Sequence, residues 1–179
     1  MRAKLIAYGV AAVMAGVGLL LARFGGGLKN PSLGVGLETL GRLVLALGLA
    51  AGVGAERESR DKPAGIRTVA IVGVGACLFA LIGIHVAGVQ AGLGFEDRDA
   101  MARIMQGIIT GIGFLGAGTI IKDKFEVEGL TTAASLWAVA GVGVACGLGY
   151  TELALLATAV ILVVLIALRG VDTLMHPHR

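Results

Sequence analysis

Six apolar runs free of Asp, Glu, Lys and Arg divide this chain, and a fold surrounded by water has no way to bury them all. They are Leu5–Ala22, Leu43–Ala55, Thr68–Gly94, Ile104–Ile121, Gly129–Thr151 and Leu153–Leu168. A bilayer-spanning helix needs about 20 mostly apolar residues, within roughly 17–25. The second run has only 13 residues, about 20 Å of helix at 1.5 Å per residue. It crosses only by extending back toward Leu33, which carries Glu38 and Arg42 into the membrane or its interface. The sequence therefore predicts an all-α fold: a polytopic membrane helix bundle with six transmembrane helices and no strand alternation.

Charge supports this. Charged residues are only 15% of 179, against about a quarter in soluble domains. That excludes disorder, an ordinary cytosolic enzyme and a disulfide-stapled secreted fold. The 30 glycines lack a three-residue period, so they read as close helix packing and not as collagen. Cys77 and Cys146 both lie in apolar runs and are expected as small reduced packing residues. Pro31 and Pro63 are expected in loops, where a missing N–H costs little.

Orientation follows from Lys and Arg. Ten of them fall on the side of both termini and five on the other, which places both termini in the cytoplasm. The opposite side includes the acidic loop Phe95–Asp99. A net charge of +3 then reports basic cytoplasmic loops, and no nucleic-acid surface is expected. Met1-Arg2-Ala3-Lys4 before an apolar run suggests a secretory leader. The 18-residue run exceeds the usual 7–15 and no Ala-x-Ala site follows, so the first helix is expected to be retained.

Gly111-Ile-Gly113-Phe-Leu-Gly116 satisfies G-x-G-x-x-G literally. A dinucleotide site requires a strand before it and a helix after it, and here the glycines sit inside an apolar run. Packing explains them better: Gly107, Gly111 and Gly118 share one helix face at spacings of four and seven. Gly48/Gly52 and Gly143/Gly147 repeat the small-x-x-x-small spacing. A helix broken at Gly113 or Gly116, exposing carbonyls to a ligand, is the alternative; the absence of Pro favours an intact helix. Trp137 is expected in the core.

Glu38 and Arg42 stand at i, i+4 and can pair. Glu56 opens the charged run Glu56–Lys62, read mostly as a solvated loop. Its carboxylate could coordinate a hard cation such as Mg2+ with waters completing the shell, or accept hydrogen bonds from Arg57, Arg67 or helix termini; spacing favours the structural role. Arg67 either snorkels or neutralises Glu56. Gln106 and Thr110 lie one turn apart and are expected to face the bundle interior. Thr131 and Thr132 are expected to cap free N–H groups. Thr68 is a further polar candidate. His85 has no second ligand at metal spacing. No nucleophile–base set, P-loop or H-E-x-x-H is present, so no enzyme is expected.

With these residues assembled, the chain resembles the MgtC/SapB family of bacterial inner-membrane proteins. The matching pieces, in order, are Gly54-Ala55-Glu56-Arg57, Ala64-Gly65-Ile66-Arg67-Thr68, Gly107 through Gly118, Gly129-Leu130-Thr131-Thr132-Ala133-Ala134-Ser135-Leu136-Trp137 and Cys146-Gly147-Leu148-Gly149. Ala55 stands where Leu is common and Thr131 where Asn is common. The resemblance implies residues 33–170 as a five-helix membrane domain, preceded by an extra helix and loop at 1–32 and followed by a polar tail at 171–179. The soluble C-terminal domain of longer members is not expected, because the sequence stops at Arg179. The resemblance also implies a link to magnesium homeostasis, growth at low magnesium and survival of pathogens inside macrophages. Some members inhibit the rotary ATP synthase; direct magnesium transport is the alternative. The expected partners are lipid, another membrane complex and a second copy of the chain.

Overall fold

The computed structural model describes the backbone of residues 2–25, 31–92, 98–122 and 127–175, with side chains over 5–25, 34–86, 101–122 and 127–167. Phe95–Asp97, Lys29, Lys124, His176, His178 and Arg179, and the side chains of Arg2, Lys4, Arg98, Asp99 and Arg169, lie outside that description.

Among the described residues there are six helices: α1 (Arg2–Gly25), α2 (Pro31–Glu58), α3 (Ile66–Gly92), α4 (Arg98–Ala117), α5 (Leu130–Leu148) and α6 (Thr151–Met175). The charge-free runs thus become helices, and α2 extends back through Glu38 and Arg42 as expected. Parts of α1, α2, α3 and α5 are long and apolar enough to cross a bilayer, while α4 and α6 carry shorter apolar segments, Met101–Ala117 and Thr151–Ala167. Pro31 opens α2 instead of lying in a loop, a position where its fixed φ suits a helix start.

Two features depart from expectation between α4 and α5. Helix α4 ends at Ala117, four residues before the apolar run does. A short antiparallel hairpin follows, Ile121–Lys122 (β1) against Val127–Glu128 (β2). Gly118 and Thr119 turn the chain back onto the Phe114 and Gly116 carbonyls, and each two-residue strand then sets one apolar beside one charged side chain. Gly129, at φ 87°, closes the connection; a Cβ there would collide with the Thr119 carbonyl.

Helices α2, α3 and α5 form the centre. Their inward faces meet in two buried groups, one around Val53, Val69, Val139 and Leu136, the other around Leu45, Ala46, Cys77 and Cys146. Both cysteines are buried free thiols. The spacing Gly143/Gly147 performs the close approach read from it: Cβ atoms there would crowd the Gly73 and Cys77 carbonyls of α3. Gly48 lies against Ala15 of α1, whereas Gly52 meets nothing. Gly18 and Gly41 add a second close approach, each against the other's helix backbone, and hold α1 along α2. Small residues permit this in lipid, where packing replaces the hydrophobic drive between helices.

Helix α4 differs. It runs unbroken, as the lack of Pro suggested, but its glycines do not pack inside the chain. Among the described residues, nothing beyond the helix's own nearby backbone lies within 4 Å of where a Cβ would stand at Gly107, Gly111 or Gly113. The inward face of α4 is instead Ile104, Ile108 and Ile112. Gly116 alone makes ordinary contact with α5, 3.5 Å from Ala133, and Gly118 crowds its own preceding turn.

Candidate functional site

Helix α2 carries a polar cluster at each end. Glu38 and Glu56 are 18 residues apart, about 27 Å along the axis, close to the thickness of a bilayer's hydrocarbon core.

At the first end Arg42 pairs with Glu38, the i, i+4 pair read from the sequence. Its Nη1 also donates to the Gly147 carbonyl at 2.7 Å. That carbonyl belongs to the last turn of α5, where a cation satisfies an orphan acceptor and the negative end of the helix dipole. Gly149 follows in a left-handed conformation at φ 83°, its N–H and that of Tyr150 returning to Cys146 and Ala145. A Cβ at Gly149 would stand 3.0 Å from the Arg42 guanidinium, so this glycine serves both the turn and the arginine.

At the other end Glu56 and Arg57 are 1% and 4% exposed. The run Glu56–Lys62 is therefore not mainly a solvated loop: α2 continues to Glu58, and its first charged residues point inward. Glu56 ion-pairs with Arg60, one turn on. Its Oε2 has no hydrogen-bond partner among the described residues. Arg57 Nη2 donates to Thr132 Oγ1 at 2.7 Å in the first turn of α5. Tyr8 of α1 reaches the same cluster beside Ser59 and Glu56. Helix α2 ends as its chain turns through Asp61, at φ 54°, with Lys62 N–H on the Arg57 carbonyl and Asp61 N–H on the Glu58 carbonyl, a Schellman closure. Glu58 Oε2 then accepts from Ile66 N–H at 2.8 Å and caps α3.

Several expectations are corrected here. Arg67 does not pair with Glu56; it and Thr68 are exposed, because the inward face of α3 begins at Val69. Thr132 accepts from Arg57 and, among the described residues, caps no backbone N–H, and Thr131 is exposed. Gln106 and Thr110 face outward; each sits two residues from an inward isoleucine, about 200° around the helix. Trp137 is 55% exposed, one residue off the buried stripe through Leu136 and Val139, so depth in the span did not make it core. The Glu56 carboxylate, read from the sequence as a candidate cation ligand, has the Arg60 guanidinium at its Oε1. Among the described residues no group of three His, Cys, Asp or Glu side chains could hold an ion. The sequence reading missed Arg60 as the partner of Glu56, although it stands at the same i, i+4 spacing that identified Glu38 and Arg42.

The outer surface has its own architecture. Gly75, Gly107 and Gly111 line an apolar groove of about 520 Å³ between α3 and α4, walled by Phe79, Ile104 and Leu115.

Comparison with known proteins agrees with this membrane architecture. The MgtC family profile matches residues 43–174. Protein MgtC of Salmonella typhimurium is 45% identical over 127 residues, 71% of this chain and 51% of that protein. An uncharacterised protein of Haemophilus influenzae is 42% identical over 68% of this chain and 52% of its own length. Protein SrpB of Synechococcus elongatus is 37% identical over 65% of this chain and 67% of its own. The chain spans about half the length of the first two relatives. No solved structure matches. A profile match over most of the chain, on a bundle of apolar helices, identifies this protein as a membrane protein belonging to the MgtC family.

Proposed function

We propose that the chain is a non-enzymatic, multi-pass protein of the bacterial inner membrane, with six spans and both termini cytoplasmic. It serves magnesium homeostasis by docking against another membrane complex, with the rotary ATP synthase as the first candidate. The observation that supports this is the uncovered glycine face of α4. Among the described residues Gly107 and Gly111 have no neighbouring element near their Cβ positions, and they line an apolar groove. Such a face lets a foreign helix approach backbone to backbone. The alternative, a bundle that binds or carries a divalent cation, has less support, because Glu38 and Glu56 are each paired with an arginine.

The test is ATP-driven proton pumping in inverted membrane vesicles, with no added chain, with wild type, and with a folded, inserted Gly111→Leu variant. The proposal expects wild type to lower pumping and the variant to lose that effect. Equal pumping in all three removes the synthase as partner. Magnesium flux into proteoliposomes above that of empty vesicles would overturn regulation in favour of transport.

A further inference from the structure

A cavity of about 850 Å³ opens among α1, α2 and α6, at the Glu38 end of α2. Its size falls within the roughly 300–1,000 Å³ range of small-ligand sites. It holds four charged side chains, Arg23, Glu38, Arg42 and Glu152, together with the apolar Leu19 and Leu155. Two of the charges are spent: Arg42 is paired with Glu38 and bonded to the Gly147 carbonyl. Arg23 and Glu152 are exposed, line the same cavity and have no ion-pair partner among the described residues. Tyr150 lies on its wall, 61% exposed, the kind of amphipathic ring that sits at headgroup depth.

One free cation and one free carboxylate in a single cavity make it neutral overall but strongly dipolar. A purely anionic ligand would satisfy Arg23 and be repelled by Glu152. A ligand carrying a phosphate and an ammonium satisfies both with charge-assisted hydrogen bonds. The apolar wall of Leu19, Leu153 and Leu155 adds a place for hydrocarbon.

We propose that this cavity binds the headgroup of a zwitterionic aminophospholipid, its phosphate on Arg23, its ammonium on Glu152 and an acyl chain along Leu19 and Leu155. The site is independent of the docking face on α4 and holds whether or not that reading does.

The test uses purified full chain in detergent, read by native mass spectrometry. Three probes are compared: phosphatidylethanolamine, phosphatidylglycerol with the same acyl chains, and water-soluble glycerophosphoethanolamine. The expected result is preferential retention of phosphatidylethanolamine. Arg23→Gln should lower that retention about tenfold, the scale of one charge-assisted hydrogen bond, while Arg23→Lys keeps most of it. Glu152→Gln should bring phosphatidylglycerol to parity or ahead. Both positions are exposed, so melting of the lipid-free variants should match wild type. Equal retention of the two lipids by wild type, or unchanged retention in both Gln variants, overturns the site. Binding of the soluble headgroup as tight as that of the lipid would keep the aminophosphate chemistry and overturn its assignment to a lipid.

Discussion

Arg57 Nη2 donates to Thr132 Oγ1 at 2.7 Å across 75 residues of sequence, and this one buried bond ties the end of α2 to the start of α5. Thr132→Val removes the acceptor and leaves a buried guanidinium short of a partner. The expected loss is about 1.5–3 kcal/mol. Thr132→Ser, which keeps the hydroxyl, should recover most of it. Thermal unfolding in a fixed detergent checks both.

Among the described residues Glu56 is the one carboxylate ion-paired with a guanidinium in that cluster, so Glu56→Gln takes from Arg60 its ion-pair partner. Breaking a buried pair from one side costs about 3–5 kcal/mol. The variant should unfold more easily, and titration calorimetry should find magnesium binding the same in wild type and variant. A magnesium signal abolished by Glu56→Gln in a protein of unchanged stability would restore the carboxylate as a ligand.

Gly147 faces the Cys77 carbonyl at a distance no side chain tolerates. Gly147→Ala should push α5 off α3 and destabilise the bundle by about 1–3 kcal/mol, the usual cost of overpacking. The readout is the same melting experiment, with detergent-solubilised size as a check on folding.

At Gly149 the left-handed backbone and the neighbouring Arg42 act together. Gly149→Ala should cost about 1–2 kcal/mol from conformation alone. It should also loosen Arg42 from the Gly147 carbonyl, so Gly149→Ala and Arg42→Gln combined should destabilise less than the sum of the two. Strict additivity in that double-mutant cycle would show the two positions to be independent.

Gly111 gives the opposite expectation. Nothing among the described residues of other elements opposes its Cβ, and leucine is the better helix former by about 0.8 kcal/mol. Gly111→Leu should therefore leave the melting temperature equal or higher, while disrupting any oligomer or complex that uses the face. A large loss of stability would mean the face is packed within the folded chain.

Much of the architecture was legible because it rests on local spacing. The charge-free runs marked all six helices, and the short second run correctly demanded Glu38 and Arg42 inside α2. The i, i+4 pair Glu38–Arg42 and the close approach at Gly143 and Gly147 follow from residues on one helix face. The missed hairpin at Ile121–Glu128 left no periodic signal, because each strand is only two residues long.

By itself, then, the sequence determined which segments are helical, which residues share a face and where each span becomes polar. Only the tertiary structure decided which face looks inward. It turned Trp137, Gln106, Thr110 and the glycines at 107 and 111 outward, chose Arg60 over Arg67 for Glu56, and joined Arg57 to Thr132 across the bundle. In water the apolar side of a helix announces the core. In a bilayer the outside is as apolar as the inside, so the periodicity of each helix survives while its direction is settled only when the helices meet.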